Sequence, residues 1–357
     1  MTRLERLRKR FAKLYIDAML VTKEENIYYL TGFDLLQGDG ALLVTADYAI
    51  IISDARYQTA LADFDSDEVI ATISSDYFGA VNKLCQGFNI DVLGFEDSLS
   101  YAEYDQLDDV MEADIVPQSD LVEKQRAVKD SGEVAKLRRA AELQTAGYDY
   151  ILNHIKVGMT ERQVANQLDF WMKDHGAQKA SFDTIVASGP NSAEPHATAT
   201  NRQLKDGDMV TLDFGYFVDG YTADMTRTFA MGRPDPQLSE IYDVVNTARR
   251  EVIKAARPGM CGDQLDAVGR SLIEEAGFGD NFQHGMGHGI GLAIHELPSS
   301  YSVGRDDVRF KANQVITVEP GIYLPGLGGV RIEDDILLTH GDAQVLTKAS
   351  TDLQIID

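Results

Sequence analysis

Four carboxylates recur in this chain in contexts that repeat. Val210-Thr211-Leu212-Asp213-Phe214-Gly215 is an apolar run with one acid just before a glycine, and Ile316-Thr317-Val318-Glu319-Pro320-Gly321 repeats it 106 residues later. A second acid follows a glycine in each copy, in Gly220-Tyr221-Thr222-Ala223-Asp224 and Gly329-Val330-Arg331-Ile332-Glu333, now 109 residues apart. Of the seven histidines, His284, His288 and His295 fall within twelve residues among four glycines, and His196 stands in Glu194-Pro195-His196-Ala197. Glycines allow close backbone approach, and clustered imidazoles point to a site where a lone one does not. Carboxylates drawn together without a cation repel by roughly 4 kcal/mol per close pair at an effective dielectric of about 20. A divalent metal is the simplest remedy. One imidazole with four carboxylates is a mixed nitrogen and oxygen set, suited to manganese, cobalt or zinc rather than to a thiolate-selected metal.

The elements that must carry these residues repeat too. Gly158-Met159-Thr160 and Gly259-Met260-Cys261 each precede a helical stretch, ending at His175-Gly176 and Ala276-Gly277, with an offset of 101 throughout. This is the pattern of a duplicated αβ unit, with copies at about residues 140–232 and 240–340. A pseudo-twofold between them brings Asp213 opposite Glu319 and Asp224 opposite Glu333. Asp219-Gly220 is a two-residue hairpin signal. If Val218 pairs with Tyr221, Asp213 lies opposite Thr226, and Asp224 becomes its diagonal neighbour on the same face, about 7–8 Å away at the backbone. Helices are expected from Glu161 to Lys173, Ile241 to Ala256 and Gln264 to Ala276, packed outside a curved antiparallel sheet. Phe170, Trp171 and Met172 read as core.

The first 120 or so residues alternate strands and helices, the pattern of an α/β domain. Leu4, Leu7, Phe11 and Leu14 have helical spacing; strands are expected at 16–21, 40–45, 49–53, 69–73, 92–95 and 115–116, and helices near 55–64, 78–85 and 101–111. Nothing there has the spacing of a catalytic or phosphate-binding motif. The domains are drawn as 1–125 and 126–357. The charge run from Glu123 to Asp130 between them reads as a solvated linker or helix face, after which Ser131-Gly132-Glu133 opens a long helix.

With 33 basic and 57 acidic residues the net charge is −24, which argues against nucleic acid and anionic membranes as partners. No apolar run approaches the ~20 residues of a membrane span, and the basic amino terminus leads into no apolar signal core. Cys85 and Cys261 lie far apart and read as reduced thiols. The expected location is the cytoplasm.

In the order Asp213, Asp224, His288, Glu319, Glu333, with their Asp-Phe-Gly, Gly-His-Gly-Ile-Gly-Leu, Glu-Pro-Gly-Ile-Tyr and Arg-Ile-Glu contexts, the chain resembles the pita-bread metallopeptidases (M24). That family includes methionine aminopeptidase, aminopeptidase P and prolidase, and residues 1–120 resemble the creatinase-like amino-terminal domain of its proline-specific branch. The resemblance implies an α/β domain followed by a pseudo-twofold pita-bread domain of α+β type. It implies two divalent ions, manganese first and cobalt or zinc as alternatives. Asp213 binds one, Glu319 and His288 bind the other, and Asp224 and Glu333 bridge. The nucleophile is then a hydroxide derived from water, not a side chain. Glu319 also carries a proton to the leaving nitrogen. His196 and His295 match histidines that contact substrate and steady the tetrahedral intermediate, His284 matches a pocket histidine, and Arg331 orients a bridging carboxylate at the substrate site. A homodimer acting on proline-containing di- or oligopeptides is implied as well.

The resemblance points first to an Xaa-Pro dipeptidase (prolidase), with aminopeptidase P, acting on longer peptides, as the alternative. Ser181-Phe182-Asp183-Thr184-Ile185-Val186-Ala187-Ser188-Gly189 resembles both. Methionine aminopeptidase commonly lacks the amino-terminal domain, and creatinase lacks the ligands. A non-catalytic peptide-binding protein of the same fold is the most remote reading, and the full ligand inventory counts against it. Asp-Phe-Gly also occurs in protein kinases, but no phosphate loop or strand lysine accompanies it here.

Overall fold

The structure is a computed structural model describing residues 1–356. It divides into two compact units, Met1–Arg126 and Ala127–Asp357.

The first unit is built on a six-stranded mixed sheet in the order Ile70–Ile73, Ala49–Ser53, Gly40–Val44, Ala18–Val21, Val92–Glu96, Asp114–Gln118. Its three middle strands are buried at every position because helices cover both faces, which is why they read as unbroken apolar runs. Helix Arg3–Leu14 starts at a Thr2/Glu5 capping box and buries Leu4, Leu7 and Phe11. Helix Glu24–Thr31 has no sequence expectation behind it. Its N-cap residue, Lys23, offers no side-chain cap, and one of its buried positions is the polar Asn26.

The charge run departs from its reading as a solvated linker. Arg126 and Lys129 are buried. Arg126 Nη1 donates to Asn26 Oδ1 at 2.8 Å, and Glu123 Oε1 takes Lys23 Nζ at 2.6 Å. Lys129 Nζ lies 2.6 Å from Glu296 Oε1, both side chains being almost wholly enclosed. Charges that meet partners at sequence separations of 100 residues or more look like linker charges in a local reading.

In the second unit the repeat is visible in the backbone. Helices Glu161–Asp174 and Gly262–Glu275 are 101 residues apart end for end, with capping boxes at Thr160/Gln163 and Cys261/Gln264. Helices Ser131–Leu152 and Pro236–Ala255 complete the outer layer. Phe170 is 73% exposed on the outer side of its helix, whereas Met172 is fully buried, so only part of the expected core triplet enters the core.

Inside lie a four-stranded sheet, ordered Ile355–Ile356, Tyr221–Met231, Met209–Val218, Ile185–Ser188, and a five-stranded one, ordered Glu296–Tyr301, Gly287–Gly289, Val315–Val318, Asp334–Leu337, Gln344–Val345. Gly321–Leu324 and Gly328–Arg331 form a separate hairpin. Asp219 and Gly220 both have positive φ, 51° and 78°, the two-residue turn that matches strand twist. Val218 pairs with Tyr221, so Asp213 faces Thr226 and Asp224 faces Gly215, the register expected from the turn.

Candidate metal centre and active site

The register sets the first pair of acids. Asp213 and Asp224 lie diagonally on one face of the Met209–Val218/Tyr221–Met231 hairpin, with Gly215 opposite Asp224. Asp213 Oδ2 accepts from Arg331 Nη2 at 2.6 Å, while its buried Oδ1 meets no donor. Asp224 Oδ1 is likewise buried without a donor, and its backbone N–H donates to Asp335 Oδ2 at 3.0 Å. Glu333 Oε2 accepts from Thr226 Oγ1 at 2.7 Å, leaving Oε1 without a donor. Asp213 and Glu333 thus each have one oxygen held and one buried without a donor, while Asp224 is held through its backbone.

His288 comes in on the short strand Gly287–Gly289. A β-carbon at Gly287 would strike the Thr317 carbonyl, and one at Gly289 the Leu297 backbone, so glycine on both sides lets the strand approach. His288 Nδ1 lies 3.1 Å from the Gly289 carbonyl. A carbonyl only accepts, so Nδ1 carries the proton and Nε2 keeps its lone pair. That lone pair faces Asp224 Oδ2 at 3.7 Å and Glu319 Oε1 at 3.6 Å. Asp224, His288 and Glu333 each offer a ligand atom within 4.8 Å of one another.

The electrostatics fit a cation. Burial raises Asp224 well above the carboxylate range, with Glu333 and Asp213 adding to it. Glu333 is raised by burial and then by Glu319 and Asp213. Glu319 is pushed to about 7 by burial, with Asp213 adding and Arg331 opposing. Burial, helped by His295, lowers His288 to about 3, so it stays neutral and able to ligate. Buried acids that cannot all ionise together, three orphaned oxygens and a free imidazole nitrogen form a donor set that a divalent metal completes. The residues therefore fit the expected metals, with Asp213, Asp224, His288, Glu319 and Glu333 as the side chains to hold them.

Comparison with known proteins agrees. A family model described as Metallopeptidase family M24 matches residues 135–340, and one described as Creatinase/Prolidase N-terminal domain matches residues 3–128. The chain belongs to metallopeptidase family M24. It is 36% identical to the Xaa-Pro dipeptidase of Pyrococcus furiosus, over 98% of this chain and 99% of that protein. The solved Xaa-Pro dipeptidase from Bacillus anthracis superposes with a TM-score of 0.93 at 40% identity, covering 99% of both chains. The X-Pro aminopeptidase from Thermotoga maritima superposes with a TM-score of 0.89 at 32% identity, covering 97% of this chain and 100% of that one.

Around the five candidate ligands the other expected residues fall at different distances. The rings of His288 and His295 meet edge to face, 4.3 Å apart. His284 Nδ1 lies 2.8 Å from the Gly285 carbonyl and 4.0 Å from Glu319 Oε2. Its Nε2 lies 2.9 Å from the Tyr323 hydroxyl, and burial lowers it to about 4, so it too is neutral. His196 and His295 are exposed. Arg331 is buried and holds Asp213 directly; it meets Glu333 only through the Thr226 hydroxyl, to which its Nε donates at 3.2 Å.

Three neighbours of the candidate centre are given no role in the sequence reading. Tyr323 links Arg331, whose Nη1 donates to its hydroxyl at 2.8 Å, to His284. Thr226 joins Arg331 to Glu333. Asp335 holds the Asp224 backbone. For Thr226 the register already carried a signal, since it stands opposite Asp213.

Proposed function

We propose that this M24 metallopeptidase hydrolyses the bond between an amino-terminal residue and proline, with the Xaa-Pro dipeptide as its substrate. The observation that carries this reading is the complete five-residue donor set, in a chain that matches Xaa-Pro dipeptidases from end to end. Two divalent ions, manganese first and cobalt or zinc otherwise, would polarise the scissile carbonyl and make water nucleophilic near neutral pH. Asp213 would serve one of them, His288 and Glu319 the other, and Asp224 and Glu333 both.

The protein's own groups do the rest. Glu319 has 20% of its side chain exposed, against 11% for Asp213 and 8% for Asp224, so it is the acid that can hand a proton to the leaving nitrogen. That nitrogen must gain a proton to leave as the amine of proline. His196 and His295, both exposed, donate to the oxygen that gains charge, a contribution of about 2.7–4 kcal/mol when preorganised. Neutral His284, backed by Tyr323, lines the pocket. Arg331 fixes Asp213 and through Thr226 steadies Glu333, so its part at the substrate site is indirect.

Among the described residues no helix is long and apolar enough to cross a membrane, and the acidic surface disfavours nucleic acid. A cytoplasmic homodimer is part of the proposal. The likeness to an X-Pro aminopeptidase keeps action on longer peptides as the second reading. The deciding experiment strips the protein of metal, reloads it with manganese, cobalt or zinc, and offers Ala-Pro beside Ala-Pro-Ala. Cleavage of the dipeptide alone is expected. Release of alanine from the tripeptide makes it an aminopeptidase P, and no metal-dependent cleavage of either overturns the proline-specific reading in favour of another substrate or a binding role.

A further inference from the structure

Glu161 opens the helix Glu161–Asp174 behind its N-cap, Thr160. An acid in a first helical turn usually favours the helix dipole from the solvent side. Glu161 is instead fully buried, and both of its oxygens are committed to one loop. Oε1 accepts from the Ser188 amide and hydroxyl at 2.8 and 2.7 Å and from Asn191 Nδ2 at 3.1 Å. Oε2 accepts from the Thr200 amide and hydroxyl at 3.0 and 2.6 Å and from the same Asn191 nitrogen at 3.2 Å. Burial pushes this carboxyl up, but the donors from Thr200 and Ser188 outweigh it and hold the group below its ordinary range. One carboxylate therefore ties both ends of the segment 188–200, and His196 lies in that segment.

The other half shows what this adds. The amides of Glu161 and Arg162 donate to the carbonyls of Arg202 and Thr200 at 3.1 and 3.0 Å, and those of Gly262 and Asp263 donate to Val308 and Arg305 at 2.8 and 3.2 Å. Each helix start thus anchors a loop, but the first carries His196, whereas His295 lies outside the second, before the strand Glu296–Tyr301. The position 101 residues after Glu161 is Gly262, where a β-carbon would already press on the Tyr301 side chain at 2.7 Å. No carboxylate fits there. Of the two loops the first has the clamp, and the imidazole it carries is exposed.

We propose that Glu161 is a positioning residue for His196, clamping both ends of the loop that presents this imidazole to the substrate. The inference rests on the reading of His196 as a substrate-contacting group. The test puts Glu161→Gln into the manganese-loaded full chain, with and without His196→Ala, and follows Ala-Pro hydrolysis, bound metal and amide exchange. An amide side chain cannot accept the same set of donors. We expect unchanged metal stoichiometry, faster exchange in 188–200 with the 209–231 hairpin unaffected, and a kcat/KM lower by about tenfold or more. In the His196→Ala background the same substitution should change kcat/KM by less than about twofold. Thr200→Val, which removes one hydroxyl donor and keeps the side-chain shape, covers the case where Glu161→Gln does not fold, with a smaller loss that also vanishes without His196. Equal losses in both backgrounds overturn the assignment of Glu161 and leave the proposed activity standing. A His196→Ala enzyme as fast as the wild type overturns the role of His196 and this inference together. Unchanged exchange in 188–200, a readout that needs no substrate, also overturns it.

Discussion

The two halves of the catalytic unit supply two acids each, but their backbones differ. In the first half ten consecutive pairs run unbroken from Met209–Ala230 to Val218–Tyr221, and Asp213 and Asp224 sit within that ladder. In the second half the ladder Val315–Val318/Asp334–Leu337 stops, and the hairpin Gly321–Leu324/Gly328–Arg331 begins after a gap holding Glu319, Pro320, Ile332 and Glu333. Pro320 has no N–H to give. The Glu319 amide donates instead to the Met286 carbonyl at 2.9 Å, and the Glu333 amide to the Thr226 carbonyl at 3.0 Å, which belongs to the first hairpin. The flanking pairs Val318–Asp334 and Gly321–Arg331 also set Glu319 across from Glu333, where Asp213 and Asp224 are diagonal. The first hairpin is thus a continuous platform, while the second breaks, and at the break Glu333 leans onto that platform. The break sews the halves together.

The largest test of this picture removes a platform acid. Asp224 is the neighbour of His288 and Glu333 in the cluster, so Asp224→Asn should lose bound metal and at least ~10³-fold in kcat/KM, about 4 kcal/mol. Metal analysis beside Ala-Pro kinetics checks it, and full metal with full activity would sink the assignment. A smaller effect is expected one shell out. Arg331→Lys keeps a positive charge but cannot bond Asp213, Tyr323 and Thr226 at once, so manganese affinity should fall about 10–100-fold by calorimetry. An unchanged affinity would mean that Asp213 needs no such support.

Much of this was legible, and the reasons for the remainder are physical. Asp219-Gly220 fixes turn, register and hence the facing of Asp213 and Asp224, all from two adjacent residues. The second hairpin turns through three residues between Leu324 and Gly328 and is interrupted by Pro320, so no short signal fixes its register. The five proposed ligands stand out because each has its own glycine-rich or apolar context. Tyr323, Asp335 and Glu161 do not, because their roles come from contacts made far along the chain; Glu161 reaches residues 27 and 39 positions away. In the other unit, helix Glu24–Thr31 lacks a side-chain cap, and the charges of Glu123 and Arg126 find partners about 100 positions away.

Removing the metal should expose the repulsion that the second half was bent to create. Asp224 and Glu333, with Asp335 beside them, are raised well above the carboxylate range by burial first, and Glu319 to about 7. Groups whose folded pKa lies above the unfolded one favour the fold at low pH, and that advantage is lost as pH rises through the folded values. The metal-stripped chain should therefore lose stability between about pH 5 and about pH 8, read as a falling urea midpoint, while manganese restores more at the upper end than at the lower. A midpoint that rises over this range without metal would show that the acids are not crowded.

The smallest effect separates the two turns. Gly220 and Gly326 both have positive φ, 78° and 83°, so alanine at either should cost roughly 1–2 kcal/mol of stability by chemical denaturation. Their reach should differ. Strain at Gly220 feeds a ladder that continues without interruption to Asp224, four residues on, whereas strain at Gly326 meets the gap at Pro320 before it reaches Glu319 or Glu333. Gly220→Ala should weaken manganese binding by a few-fold, and Gly326→Ala, at matched loss of stability, should leave it unchanged. Equal weakening by both would mean that the gap transmits strain as well as the ladder does, and that the second half is as stiff as the first.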